Sequence, residues 1–360
     1  MLVISTIEEL DEKIKECDAA RSDAELRDVF TRFSMAPIIA AGDPFSPEYR
    51  QAQMALYEGV AGKTYAVTNE MTPFDVDAAV LRPFPYVTDS SSVVGNQLMS
   101  IGALLRRLQV PLGGRILEFG PGWGNTTLAM AMSGYKVTAV DIEPRYCDLI
   151  KRRAAHNGVD IEVINSDFMW AEQVTVPYDA VVFFECFHHC DDHMRLLRAL
   201  RNAVKDEGRI YFGGEPITEG FPIPWGLRLD GESLWAIRKN GWLELGFTES
   251  YFVEALARSG WAVTKHESHD FFGSNVWEAV KTDPKVVEIP NPEVLALRAE
   301  VDQQRARITA QDAQLSEQAL QIAGIAEVAA NRQALIEAFR NSTSWRITAP
   351  LRAIVKLLRR

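Results

Sequence analysis

The stretch that decides the fold is Ile116-Leu-Glu-Phe-Gly-Pro-Gly-Trp-Gly-Asn-Thr-Thr127. The apolar run from Arg115 to Phe119 reads as a strand, Gly120, Gly122 and Gly124 follow, and a helix is expected from Asn125 to Ser133. Glycine at such a junction lets the backbone turn tightly and approach a ligand, because no Cβ stands in the way. Taken alone, the turn could equally be a plain strand-to-helix connection. Three acids add chemistry to it. Glu118 lies inside the apolar strand, where a carboxylate needs a compensating partner. Asp141 ends the next strand, about twenty residues after the turn, a place that suits an acceptor for two ribose hydroxyls. Asp167 ends the third strand and is followed by Phe168, so a carboxylate can accept an adenine amino hydrogen while an apolar ring flanks the base.

Working outward, short apolar runs alternate with helical ones. Strands are expected at Lys136 to Val140, Ile161 to Asn165, Ala180 to Phe184 and Arg209 to Phe212, with helices at Tyr146 to Asn157 and His193 to Val204. Such alternation means a parallel sheet covered on both faces, an α/β doubly wound fold. Ala262 to His266 and Val276 to Val280, separated by a segment with Gly273 and Asn275, predict an antiparallel hairpin at the sheet edge.

Upstream, residues 1 to 35 read as helical, with Thr6 as an N-cap, Glu9 three residues on, and a second helical run from Asp23 to Phe33. Residues 37 to 92 are rich in proline and aromatics and suggest a cap or lid, followed by a helix from Val94 to Leu108. Downstream, residues 284 to 292 carry Pro284, Pro290 and Pro292 and read as a linker. From 293 to 340 apolar residues recur every seventh position (Val294, Val301, Ile308, Leu315, Ile322, Ala329, Ile336), while the partner position holds Gln304, Gln311 and Gln318. That predicts a coiled coil with polar layers and self-association; the other reading is one helix lying against the catalytic domain. The expected division is therefore a cap at 1–93, a catalytic domain at 94–283, the linker, the long helix, and a tail at 341–360.

The chain has 360 residues, 47% hydrophobic and 24% charged, with a net charge of −11. That balance argues against a general nucleic-acid binder, which needs excess Lys and Arg. The average conceals a basic tail: from Ala338 to Arg360 there is no acid, but Arg340, Arg346, Arg352, Lys356, Arg359 and Arg360 are present. Cys17, Cys147, Cys186 and Cys190, without a secretory leader, suggest reduced thiols and a cytoplasmic protein. No stretch approaches the ~18 apolar residues of a bilayer span, so a membrane would be met from one side, at the inner face.

Residues from about 95 to 281 resemble the class I S-adenosylmethionine-dependent methyltransferases. The resemblance rests on Glu118-Phe-Gly-Pro-Gly-Trp-Gly124, on Asp141, on Ser166-Asp167-Phe168, on Tyr178-Asp-Ala-Val-Val-Phe-Phe-Glu-Cys-Phe-His-His189, and on the terminal hairpin. It implies a mostly parallel seven-stranded, Rossmann-like sheet with S-adenosylmethionine across the carboxyl ends of the first strands. The implied cofactor residues are Glu118, Gly120, Gly122, Gly124, Asp141, Ile142, Asp167, Phe168 and Glu185. A nicotinamide or flavin site fits less well, since its fingerprint wants Gly or Ala where Asn125 stands.

For a hydroxyl acceptor, His188 and His189 are the candidate bases, because imidazole titrates near neutrality. The bland reading has one of them capping a helix and the other packing under the cofactor. Glu215, Trp225 and Arg228, after the fifth parallel strand, are expected to face the acceptor, with Phe221, Trp235 and Trp242 offering faces for a sugar ring or a core for added helices. Cys186, Cys190, His188, His189, Asp191, Asp192 and His193 together suggest metal ligands, but their spacing matches no standard zinc pattern, so no metal is expected.

Ser342-Thr-Ser-Trp-Arg-Ile-Thr-Ala-Pro-Leu-Arg352 resembles a short C-terminal motif of bacterial glycosyltransferases and methyltransferases of surface-polysaccharide assembly. The basic amphipathic run after it suits an anionic membrane surface or a glycosyltransferase partner. The reading is an O-methyltransferase for a sugar hydroxyl of a bacterial surface glycan or its precursor. The alternatives are a methyltransferase for a small molecule or lipid, and a non-catalytic scaffold of a glycan-assembly complex.

Overall fold

The computed structural model describes residues 2–37, 42–71, 73–81, 91–268, 272–284, 304, 311, 322, 331–338 and 340–358, in two units divided between residues 303 and 304. The first unit is built on seven strands: β1 (Arg115–Phe119), β2 (Lys136–Asp141), β3 (Ile161–Asn165), β4 (Tyr178–Phe184), β5 (Val204–Gly213), β6 (Trp261–His266) and β7 (Val276–Lys281). Their spatial order is β3-β2-β1-β4-β5-β7-β6. The first five run parallel, and β7 is antiparallel to both β5 and β6. The hairpin expected at the edge is present, with its second strand inserted beside β5 and its first strand outermost.

Both faces of the sheet are covered. Phe119, Phe183 and Phe212 pair in register across β1, β4 and β5, and their rings stack with centroids 5.4 and 5.3 Å apart. On the opposite face Ile116, Ala180, Val182 and Tyr211 meet Ile101 and Leu104 of the helix Ser91–Arg107. Residues buried on two sides explain why these strands read as continuous apolar runs. After β3 the chain crosses β1 and β2 to start β4, so β1 and β4 part at the switch point where a doubly wound sheet binds its ligands.

The first 35 residues are not helical throughout. Helices Ile7–Asp18 and Asp23–Phe30 are flanked by Leu2–Ile4 and Phe33–Met35, which pair in parallel. Each strand finds its partner about thirty residues away, a contact that local periodicity cannot register. The expected capping box is present: Thr6 Oγ1 accepts from the Glu9 backbone N–H at 3.2 Å, and Glu9 Oε2 accepts from that of Thr6 at 3.3 Å.

One core crosses the boundary expected at residue 93. The helix Pro47–Ala61 docks on the segment between β5 and β6. There Tyr49 donates to the Trp225 carbonyl (2.9 Å), Tyr57 to the Gly241 carbonyl (2.6 Å), and Gln53 Oε1 accepts from Leu227 N–H (3.2 Å). The inserted segment forms an antiparallel ribbon, Trp225–Leu227 with Leu245–Phe247, around helical turns from 231 to 240.

In the second unit residues 331–338 and 340 are helical, followed by helices Thr343–Ile347 and Ala349–Leu358. Apart from residues 304, 311 and 322, which are also helical, the rest of the heptad segment lies outside the described residues, as does the linker after residue 284. Arg352 lies over the Trp345 ring at 3.5 Å and donates to the Trp345 carbonyl at 2.6 Å, and Ile347, Leu351 and Ile354 are exposed. Among the described residues no helix is long and apolar enough to cross a membrane.

Candidate active site

A cavity of about 260 Å³ opens at the carboxyl ends of the parallel strands. Its floor is the glycine-rich turn. Gly120, Gly122 and Gly124 have φ of +56°, +51° and +74°, a region that favours glycine. A Cβ on Gly120 would come within 2.7 Å of Cys186 Cβ, and one on Gly124 within 2.7 Å of Ile150 Cγ1, so these two allow close packing. A Cβ on Gly122 would meet nothing within 4 Å; it faces the cavity.

Asp141 holds the turn. Its Oδ2 accepts from Gly122 N–H at 3.0 Å and its Oδ1 from Glu143 N–H at 2.8 Å. Burial pushes its carboxyl up to about 6 against the pull of these bonds. Asp141 and Ile142 line the cavity, as do Asp167 and Phe168; Asp167 Oδ1 accepts from Met169 N–H at 2.8 Å and so starts the turn that aims Phe168. Two aromatic rings that sequence reasoning missed, Trp123 and Tyr146, also line it, and both pack on Phe74 of the N-terminal segment at 4.7 and 4.9 Å.

Glu118 occupies a different place from the one expected. It lies beneath the turn, off the cavity wall and 1% exposed, where Thr127 Oγ1 donates to its Oε2 at 2.5 Å. Its Oε1 has no hydrogen-bond partner, and burial pushes the carboxyl up to about 8. Glu118 therefore ties β1 to the first turn of the helix Asn125–Met132, and it reaches a ligand only through that turn.

Beyond β4 the chain makes a sharp corner. Glu185 has φ of +54°, unusual for a residue with a side chain, and stands at the cavity wall. The residue is exposed, yet desolvation of its carboxyl by the surrounding protein pushes it up to about 7, with the His188 charge opposing and the Glu215 charge adding. Glu215 organises the corner from behind: it accepts from the backbone N–H groups of Cys186 (2.9 Å), Phe187 (2.9 Å) and His188 (3.2 Å) and meets His188 Nδ1 at 2.8 Å.

The two histidines part company. His189 lines the cavity, with Nδ1 2.7 Å from the Leu243 carbonyl. Burial and the neighbouring His188 hold its pKa well below the usual imidazole range. His188 is buried off the wall; burial opposes its charge, but the Glu215 hydrogen bond and the fields of Glu215 and Glu244 raise its pKa.

The residues expected to face an acceptor do not line the cavity. Trp225 is 2% exposed in the core, its Nε1 donating to the Pro44 carbonyl at 2.7 Å. Arg228 pairs with Glu244 and Asp230, each at 3.3 Å. Their place is taken by Trp242 from the insertion and by Tyr65 and Glu70 from the N-terminal segment. Glu70 sits in a stretch without periodic pattern, so no sequence signal marked it. The strand-end cluster of cysteines and acids does not converge either: Cys186 Sγ faces the Phe119 carbonyl, Asp191 pairs with Arg50, and His193 Nε2 meets Tyr251 Oη at 2.7 Å.

Residues 116–208 match the family described as a methyltransferase domain. The sheet order, with the crevice at its switch point, is that of the Rossmann-like methyltransferase fold. A ubiquinone biosynthesis O-methyltransferase of Xanthomonas axonopodis pv. citri is 30% identical over 103 residues, 28% of this chain and 43% of that protein. One from Xylella fastidiosa is 31% identical over 106 residues, 29% and 43% of the two chains. The chain thus spans less than half the length of these curated relatives. Among solved structures, a 1,6-didemethyltoxoflavin-N1-methyltransferase of Burkholderia thailandensis with bound S-adenosylhomocysteine is similar at 21% identity and a TM-score of 0.41, over 59% of this chain and 93% of that one.

Proposed function

We propose that this chain is an S-adenosylmethionine-dependent O-methyltransferase. The observation that carries the reading is the turn whose Gly122 faces an open cavity while Asp141 and Asp167 stand on its rim. These residues fit the cofactor's parts: Asp141 for the ribose hydroxyls, Asp167 and Phe168 for the adenine, and the glycine turn for close approach of the remainder. When bound, S-adenosylmethionine supplies a methyl carbon on a sulfonium, from which an acceptor oxygen takes it as sulfur leaves with the bonding pair.

The chain's own work is to bind, to exclude water and to take a proton. Glu185, held at the wall by the β4 corner, is assigned the proton of the acceptor hydroxyl, because a carboxyl near 7 is poised for that transfer. His189 and Trp242 also line the cavity and are assigned to orient the acceptor. An oxygen acceptor is supported by the relatives' names as O-methyltransferases. A sugar hydroxyl of a surface glycan or its precursor is our choice of acceptor class, supported by the Trp242 and Tyr65 faces and by the tail's resemblance to polysaccharide-assembly enzymes. The helix Ala349–Leu358, with exposed Leu351 and Ile354, is assigned to an anionic membrane surface at the inner face.

The test is calorimetric titration of the full chain with S-adenosylmethionine beside an Asp141→Ala variant. Micromolar binding that the variant loses is expected. A folded wild type that binds neither S-adenosylmethionine nor S-adenosylhomocysteine would return the chain to the scaffold reading.

A further inference from the structure

Where the β4 corner meets the insertion lies a polar cluster of which the methyl-transfer reading uses only His189, the member on the cavity wall. His188 and Glu244 are both buried, with His188 Nε2 3.6 Å from Glu244 Oε2. His189 completes the group: one ring nitrogen of each imidazole and one Glu244 oxygen all lie within 4.8 Å of one another. These donors come from two segments about fifty residues apart, and the fold alone brings them together.

The surroundings hold the two rings as a metal site would. Nδ1 of His188 is tied to Glu215 Oε2 at 2.8 Å, so Nε2 is the atom turned toward Glu244, where it binds either a proton or a metal ion. Nδ1 of His189 faces the Leu243 carbonyl at 2.7 Å; a carbonyl only accepts, so Nδ1 carries the proton and Nε2 keeps its lone pair. An N–H bonded to a carboxylate or a carbonyl is how ligating imidazoles are fixed and made more basic. Charge points the same way. Three carboxyls, Glu70, Glu215 and Glu244, sit at this junction with little exposure. Arg228, 3.3 Å from Glu244, is shared with Asp230. A carboxyl buried there stays ionised only beside a compensating cation.

We propose that His188, His189 and Glu244 bind one divalent transition-metal ion of the Zn2+ class, with Glu215 and the Leu243 carbonyl orienting the two imidazoles. Two imidazole nitrogens and a carboxylate oxygen suit Zn2+ and its first-row neighbours, whereas Ca2+ and Mg2+ prefer all-oxygen sites. Three protein donors leave a fourth position of a tetrahedral ion for an outside ligand. The site stands on its own geometry; its use in acidifying an acceptor hydroxyl, from the wall that His189 shares with the cavity, rests on the methyltransferase reading.

The test uses the full chain, stripped with EDTA and titrated with ZnCl2 by calorimetry, beside His188→Gln and Glu244→Gln. Both variants keep all four cysteines. One equivalent of zinc in the wild type and at least tenfold weaker binding in both variants are expected, with X-ray absorption at the zinc edge of the wild type showing nitrogen and oxygen neighbours only. No uptake by the wild type overturns the proposal, leaving a proton between His188 and Glu244. So does equal uptake by the variants or a sulfur shell, which would assign the ion to thiols. The absorption spectrum needs no variant, so a variant that fails to fold leaves the proposal testable. S-adenosylmethionine titration of the same samples separates the two ideas: zinc bound without cofactor sinks the methyltransferase reading and leaves the site.

Discussion

At the scale of single residues, the turn and the acids behave differently from one another, and substitution separates their roles. Gly122→Ala puts a methyl into the cavity at φ +51°; we expect a folded protein, destabilised by about 1–2 kcal/mol for the left-handed conformation, with cofactor affinity down at least tenfold by calorimetry. Gly120→Ala carries the same backbone cost and a 2.7 Å clash with Cys186, so its melting temperature falls further. Glu185→Gln should lower kcat by about 100-fold or more while leaving cofactor affinity intact. In the wild type, activity is lost as pH falls through about 7, where Glu185 takes up its proton, and the variant lacks that limb of the pH profile. Glu118 gives a stability signature. Its folded pKa of about 8 lies above the ordinary 4.5, so the folded state holds a proton that the unfolded chain releases. Its contribution is fully present below 4.5 and is lost as pH rises through 8; thermal melts from pH 5.5 to 8 should fall less steeply in Glu118→Gln. The cavity-lining acids Asp141 and Asp167 were legible because they stand at or just past strand ends. That Glu118 points to Thr127 was not, because only the packing of helix on strand says which side of the turn a carboxylate meets.

At the scale of elements, local patterning carried the regular parts. The capping box at Thr6, the five parallel strands and the reversed hairpin follow from cap chemistry and apolar period, which act over a few residues. The Leu2–Ile4 with Phe33–Met35 ribbon and the Trp225–Leu227 with Leu245–Phe247 ribbon follow from pairings at a distance and left no local trace. The same holds for the N-terminal helix Pro47–Ala61, which is joined to the insertion by side-chain bonds to backbone carbonyls. Tyr57→Phe removes one such buried bond, so we expect a loss of about 1 kcal/mol in denaturant unfolding. A variant as stable as the wild type would mean that water or a neighbour replaces the hydroxyl. Trp225 belongs to this joint and not to an acceptor, which its aromatic type in a covering insertion could not distinguish.

At the scale of the whole molecule, residues up to 303 form one unit whose core includes the N-terminal segment, the sheet and the insertion, while residues from 304 form another. Residues 1–303 alone should keep the melting temperature of the catalytic unit and the full affinity for S-adenosylmethionine; loss of either on truncation would place the second unit in the site's support. The amino-acid sequence by itself determined the α/β class, the strand-turn-helix at 116–127, the acids that end β2 and β3, and the charge asymmetry of the tail, since each depends on residues close together in the chain. Only the tertiary structure decided which groups share the cavity. It set Glu118 beneath the turn, separated His189 at the wall from His188 behind it, and brought Tyr65, Glu70 and Glu244 to a corner made by β4. The physical reason is distance along the chain: a buried side chain's partners are chosen by how the layers close over one another, and no period or spacing within a segment encodes that choice.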